Sequence, residues 1–244
     1  MNPILFTAAK GAERVMLAQE VRANNLAQVN TVGFKAIMEH STPMKINGSG
    51  FESSTTTRTN SASNNFAHGT EIRTDRPLDV QINGTGFFAL EGKQGEPDEL
   101  YTRAGNFNLT PEGNLMVGDR QVLSDGGPIV VPEYQAINVS KDGVLSITPP
   151  GGGAEMEIAT LKLVNPDYFD MTLDKSGLFV AKDGNTLMAD PDVSVRSGYL
   201  ESSNVSSLEE LVSMMSLSRQ YEMQVKAMAT ASEIDKLGNQ LLKA

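Results

Sequence analysis

Gly84-Thr85-Gly86-Phe87-Phe88-Ala89 has the G-x-G-x-x-A spacing of a loop that grips a dinucleotide pyrophosphate. That chemistry needs a helix to begin at the loop, so that free N–H groups and the helix dipole meet the phosphates. Here the next residues are aromatic and β-prone, and a turn-rich stretch follows from Gly92, so Asn83-Gly84 reads as a hairpin turn with a return strand at 86–90. Asp98 and Glu99 are neighbouring carboxyls of the kind that divide acid and base work. They stand in a turn-rich segment and read as solvated. Asp142 and Asp183 each precede a glycine, which is turn chemistry, and no calcium-loop ligand spacing surrounds them. His40 and His68 are the only imidazoles, and neither has a serine–acid constellation near it. Cysteine is absent, which excludes disulfides, thiolate nucleophiles and Cys-ligated metal centres. The expectation is no catalytic residue, no metal and no cofactor.

The elements that carry these residues differ in charge. The 244 residues, enough for one or two domains, hold 30 acids and 20 bases, a formal net charge of −10. An acidic chain of this kind lacks the basic contacts that grip phosphate, so nucleic acid is not an expected partner. Residues 1–34 hold three bases and two acids, and residues 208–244 four bases and five acids, so the ends sum to zero and the middle carries the whole −10. Neutral ends can pack together, whereas the middle repels itself and stays solvated. No apolar run approaches the ~18 residues of a membrane span. Lys10, Glu13, Arg14 and Glu20 interrupt the first twenty residues, so no cleavable secretory segment is expected there.

Both ends have helical periodicity. Ile4, Leu5, Ala8, Ala12, Val15 and Met16 recur at three- and four-residue spacings after Asn2-Pro3, a helix-start signature. Gly11 inside this stretch costs ~1 kcal/mol against alanine. The helix is expected to stop near Asn30, with Gly33 taking the left-handed conformation and Phe34 left as an apolar residue needing cover. At the other end, Asn204, Ser206 or Ser207 can cap, and Glu209 and Glu210 suit the positive end of the dipole. Leu208, Leu211 and Met215 begin an apolar row that continues through Leu217, Tyr221, Val225 and Met228 to Ile234, Leu237 and Leu241. As one helix this run is ~50 Å long, a length that points to a coiled coil or a long packed helix. The two ends are obvious partners, yet a pair of helices still has two outward backs. Those backs pack either on the middle of the same chain or on sister molecules. Methionines such as Met16, Met214 and Met215 suit adaptable contacts.

The middle reads as β. Residues 47–65 contain 15 Gly, Ser, Thr or Asn among 19, a composition for a flexible linker or an arm that orders on a partner. Short strands bounded by turn signals follow from Leu78, beginning with the alternating Leu78-Asp79-Val80-Gln81-Ile82. An echo at an offset of 30 residues relates Phe107–Leu115 to Ile137–Leu145, both strand, acid-Gly turn, strand; a weaker third copy is read at 179–184. The fold class is therefore α+β: terminal helices paired as a coiled-coil-like unit, an extended connecting segment and an all-β central domain of short antiparallel strands. The expected divisions are 1–34, 35–77, 78–204 and 205–244.

The ordered motifs resemble the flagellar rod and hook family of bacteria. Asn24-Asn25-Leu26-Ala27 with Asn30-Thr31-Val32-Gly33-Phe34-Lys35 is similar to its amino-terminal signature. Pro77–Ile82 with Gly84–Phe88, and Tyr101-Thr102-Arg103-Ala104-Gly105-Asn106-Phe107, are similar to its central motifs. Ser197–Val205, then Arg219-Gln220-Tyr221-Glu222 and Lys226, are similar to its carboxy-terminal signature. Met188-Ala189-Asp190-Pro191 favours the proximal-rod branch, while Gln28, Ser218 and Ser206-Ser207 depart from common family residues. The resemblance implies a structural subunit that transmits torque and catalyses nothing. It also implies self-assembly with other rod subunits, passage through the flagellar export apparatus and assembly in the periplasm. The assembly residues are then Leu5, Ala8, Val15, Asn24, Asn25, Leu26, Asn30, Gly33, Phe34, Asn204, Leu208, Leu211, Met215, Tyr221, Val225 and Met228. The alternatives are a distal-rod or hook-type subunit, an adhesin-like binding domain, and a peptidoglycan-acting enzyme using Asp98 and Glu99.

Overall fold

A computed structural model describes residues 3–45, 55–59 and 63–241. The chain forms two compact units, one of Met1–Val29, Ala36–Asn65 and Val205–Ala244, the other of Asn30–Lys35 and Phe66–Asn204. The main chain therefore passes between the units four times, after residues 29, 35, 65 and 204.

The first unit is built on two helices, α1 (Pro3–Ala27) and α2 (Ser207–Leu241). Ser206 caps α2: its Oγ accepts from the Glu209 N–H at 3.4 Å and its carbonyl from the Glu210 N–H at 3.0 Å. The S-x-x-E spacing is that of a capping box. α1 ends at Ala27, where the Gln28 N–H donates to the carbonyls of Asn24 and Asn25 at 3.1 and 3.0 Å. The helices are antiparallel: Asn25 meets Glu210, and a Cβ on Gly11 would lie 3.0 Å from the Gln224 side chain. Facing residue numbers add up to 235 at both places, so Pro3 faces about residue 232 and the last turns of α2 run past α1. Among the described residues the buried apolar side chains of the pair are Ala8, Ala12, Val15 and Ala231. Small side chains let the axes approach but remove little apolar surface from water.

In the same unit Ile37–Met38 pairs with Ser63–Asn64, and Ser41–Lys45 pairs with Thr55–Thr59, both antiparallel. The reading of 47–65 as linker or arm falls largely on 46–54 and 60–62, which lie outside the described residues. Thr55–Thr59 itself is a strand, as β-branched threonine favours.

The second unit is a β domain. Its largest sheet is antiparallel in the order Leu163–Val164, Phe87–Glu91, Glu99–Thr102, Phe179–Ala181, Met171–Leu173. Phe87–Glu91 lies in its interior and alternates strictly. Phe88 and Leu90 enter a core with Leu100, Phe107, Leu115, Leu145 and Leu163, while Phe87 and Ala89 enter a second cluster with Tyr101, Val164 and Phe179. Phe66 covers that second cluster, stacked on Tyr168 at 4.2 Å.

The β domain departs from the expected pairings at three places. Val80–Asn83 and Phe87–Glu91 do not form the expected hairpin; Val80–Asn83 pairs instead with Ser194–Ser197, more than a hundred residues later in the chain. The carbonyls of the intervening turn are taken by a distant arginine, described below. The third copy of the repeated turn is also elsewhere. In the first two copies, Thr110 and Ser140 each donate N–H to the carbonyl four residues on, at 3.0 and 2.9 Å, and each accepts from the glycine three residues on. Asp174 repeats this with Leu178 and Gly177, at 2.8 and 3.0 Å. Gly113, Gly143 and Gly177 take φ of 87°, 78° and 79°. The stretch 179–184 ends in a turn at Gly184 without a return strand. Lastly, Gly33 does not stop α1. Its φ is 68°, but its N–H donates to the Glu201 carbonyl at 2.8 Å, and a Cβ there would lie 2.4 Å from the carbonyl carbon of Arg103. Close backbone approach, not helix capping, requires glycine at this position.

Candidate functional site

Two side-chain constellations organise the units. In the first unit Asn25, 1% exposed, uses its carboxamide as a substitute strand. Its Nδ2 donates to the Ile37 carbonyl at 3.0 Å, and its Oδ1 accepts from the Ile37 N–H at 2.8 Å. The same Nδ2 donates to Glu210 Oε1 at 3.1 Å, and Arg22 Nη1 reaches both oxygens of Glu210 at 3.2 Å. One residue near the end of α1 thus ties together α1, the start of α2 and the chain just after the first crossings. Asparagine suits the place because it carries a donor and an acceptor on one short planar group.

In the second unit Lys35, Arg103 and Glu201 meet with side chains 1–2% exposed. Lys35 Nζ donates to Glu201 Oε1 at 2.7 Å and to the Ala67 carbonyl at 2.8 Å. Arg103 Nε donates to Glu201 Oε2 at 2.8 Å, and the Gly69 N–H donates to Oε1 at 3.0 Å. The rest of the guanidinium fills a cup of carbonyls: Nη1 to Gly86 at 2.8 Å, Nη2 to Gly84 at 2.9 Å and to Ile82 at 3.4 Å. The G-x-G loop therefore presents oxygens to a cation. A dinucleotide loop would present N–H groups to an anion, the opposite polarity. His68 Nδ1 lies 3.6 Å from Glu201 Oε1 at the half-exposed edge.

Burial costs a charged group dearly unless it is paired and hydrogen-bonded, and here two cations share one carboxylate. Burial holds the Lys35 amine below its ordinary value, against the opposing pull of its bond to Glu201. Burial also pushes Glu201 upward, but the Arg103 charge, the Lys35 bond and charge and the Gly69 N–H outweigh it, and the carboxyl stays below its usual range. The arrangement ties backbone at Gly69, Ala67 and the G-x-G loop to one buried ion cluster. Glu99, raised above as one of a carboxyl pair, accepts from Lys162 at 2.6 Å and from the Tyr101 hydroxyl at 2.9 Å, while Asp98 is exposed. Among the described residues no three His, Asp or Glu side chains cluster as metal ligands, and no helix is long and apolar enough to cross a membrane.

The residues expected at an assembly surface divide into two groups. Ala8, Val15, Asn25 and Gly33 are buried within the single chain. Leu26, Phe34, Asn204, Tyr221 and Met228 are half-buried, and Asn24 and Asn30 are exposed. Leu5, Leu208, Leu211, Met215 and Val225 are exposed, with Phe6, Met16, Leu17, Val212, Met223, Ile234 and Leu237 beside them in the helical unit. Lys35, Arg103 and Glu201 were legible only as letters of three separate motifs. Their signal was a charged residue within three positions of a glycine in an otherwise apolar or small-residue stretch.

Residues 196–241 match the model of the flagellar basal body rod FlgEFG protein C-terminal region, and residues 81–147 match that of the flagellar hook protein FlgE/F/G D1 domain. The second match supplies Arg103, the first Glu201 and all of α2. These define the class: an axial protein of the bacterial flagellum, of the kind shared by rod and hook. Flagellar basal-body rod protein FlgF of Salmonella typhimurium is 32% identical over 250 residues, spanning 99% of both chains. FlgF of Escherichia coli is 31% identical over the same span, and the rod protein FlgG of Caulobacter vibrioides 28% identical over 97% of this chain and 98% of its own. The chain belongs to the flagellar basal-body rod protein family, in its FlgF branch, and is a structural subunit of the rod rather than an enzyme.

Proposed function

We propose that this subunit builds the proximal part of the rod and polymerises through the outer faces of α1 and α2, paired in coiled-coil fashion. The first unit is the assembly domain and the β unit the outer domain. Copies of this chain and other rod subunits complete the helical packing, and the finished shaft transmits torque. Each chain passes unfolded through the flagellar export apparatus and folds in the periplasm, where the helices meet their neighbours.

One observation carries this reading. The β unit seals two apolar clusters, whereas the helical unit buries chiefly alanine and valine and leaves Leu211 at 48%, Met215 at 60% and Val225 at 42% exposure. Apolar area of that extent on a lone helix pair marks a surface that completes itself on a partner. The test is Leu211→Asp and Val225→Asp in cells whose only copy is the variant. Both should abolish rods and swimming while the melting of the β unit in the purified variants is unchanged. Normal rods in both variants would overturn the proposal.

A further inference from the structure

Phe169 is 83% exposed, although the structure around it is fixed. It is the middle residue of the short turn Tyr168–Asp170. Its N–H is capped by Asp167 Oδ1 at 3.0 Å, its carbonyl accepts from Lys182 Nζ, and the Lys182 N–H holds the Asp170 carbonyl at 2.8 Å. Tyr168, one residue before, is stacked on Phe66 with the planes 5° apart. An aromatic ring is thus held in water on a braced pedestal. Binding it costs little ordering entropy, the property of an interface anchor. The Asp170 carboxylate beside it has no ion-pair or hydrogen-bond partner among the described residues.

α2 carries a groove of complementary chemistry. It is lined by Val212, Met215, Ser216, Arg219, Gln220 and Met223. Methionine sulfur and aromatic rings attract one another, and flexible methionines reshape around a ring. Arg219 has no carboxylate partner among the described residues. The knob offers a ring and an unpaired anion; the groove offers methionines and an unpaired cation. A second β unit is the wrong occupant for the knob, because residues 35–207 carry the chain's entire −10. The near-neutral helical ends have no such repulsion.

We propose that Phe169 of one copy seats in the Val212–Met223 groove of a second copy, with Asp170 against its Arg219. Where one copy's knob and groove engage two different neighbours, the contact is heterologous and gives a ring or an open helix according to the rotation between copies. The proposal rests on the reading of α2 as an assembly helix.

The chain has no cysteine, so introduced thiols report cleanly. Cells lacking the natural copy express two differently tagged chains, one Phe169→Cys and one Met215→Cys, and isolated basal bodies are oxidised. The expected result is the mixed disulfide, in excess over either like-with-like dimer. Adding Asp170→Arg should abolish it, and adding Arg219→Asp to the other chain should restore it. A photoreactive benzoylphenylalanine at position 169 keeps the ring and should give adducts within 212–223 of a second copy. Assembled rods with no mixed disulfide, or adducts mapping elsewhere, overturn the knob-and-groove contact. That failure leaves the helix-face reading intact if Leu211→Asp still abolishes rods. Conversely, the mixed disulfide together with normal rods from Leu211→Asp sinks the helix-face reading alone.

Discussion

Lys35 and Glu201 are separated by 166 positions in the chain and by 2.7 Å between charged atoms. With Arg103 on the other carboxylate oxygen, they join the three stretches that carry the family's motifs: the segment leaving α1, the segment after strand Glu99–Thr102 and the segment entering α2.

Glu201→Gln removes the one carboxylate that balances two buried cations. The loss of β-unit stability should be large, ~3–5 kcal/mol, as for other broken buried pairs. Lys35→Met removes the surplus cation and leaves a balanced Glu201–Arg103 pair, so it should cost less. Urea unfolding of the purified variants gives the ranking. If Lys35→Met proves the more damaging change, the charge balance assigned to the junction is wrong.

Acid should weaken the same unit in a defined window. The hydrogen bond from Arg120, aided by the Lys93 N–H, holds Glu96 down to about 2, and Glu201 also lies below its ordinary value. A carboxyl depressed in the folded state gains its proton first in the unfolded chain. Its contribution is complete above the unfolded value of ~4.3 and is lost as pH falls through the folded value. The urea midpoint should be level near neutrality and fall steadily below that point. In Glu96→Gln the decline should be shallower. A decline of identical slope in that variant would remove Glu96 from the account.

Two glycines with similar backbone angles should respond differently to alanine. Gly33 and Gly84 have φ of 68° and 73°. A Cβ on Gly33 meets Arg103 backbone at 2.4 Å, while one on Gly84 meets nothing within 4 Å. Gly84→Ala should cost the left-handed penalty alone, ~1–2 kcal/mol. Gly33→Ala must also displace main chain and should cost clearly more. Thermal melts of both variants decide it, and equal losses would refute the close-approach argument.

Asn25→Asp should loosen the helical unit and spare the β unit. The change removes the donor to the Ile37 carbonyl and sets a second carboxylate against Glu210, a loss of ~2–3 kcal/mol for the stranded polar groups. Amide exchange by mass spectrometry should quicken across 3–27 and 207–225 with no change across 78–200. Unaltered exchange in both helices would show that Asn25 is not the tie described above.

How far the sequence could be read depended on the range of the interaction. The helices were legible because Leu208, Leu211 and Met215 repeat at helical spacing and because Ser206 with Glu209 makes a local cap. The turns at Thr110 and Ser140 were legible because their bonds span four residues. The Asn83-Gly84 hairpin was misread for the opposite reason: Arg103, 19 residues from Gly84, takes the turn's carbonyls, and the true strand partner is Ser194–Ser197. Periodicity carries no record of such pairings. The junction itself was hidden because Lys35, Arg103 and Glu201 are ordinary surface residue types, and only folding removes them from water. The exposed helix faces were visible as apolar rows, but composition alone could not distinguish Ala8 and Val15, used within the chain, from Leu211 and Val225, left outside it.

The four passages of main chain between the units have a mechanical meaning. A domain inserted once into a hairpin hangs from two peptide tethers, and any twist applied at one side loads those two alone. Here the polypeptide returns after residue 35 and leaves again after residue 65, which doubles the tethers.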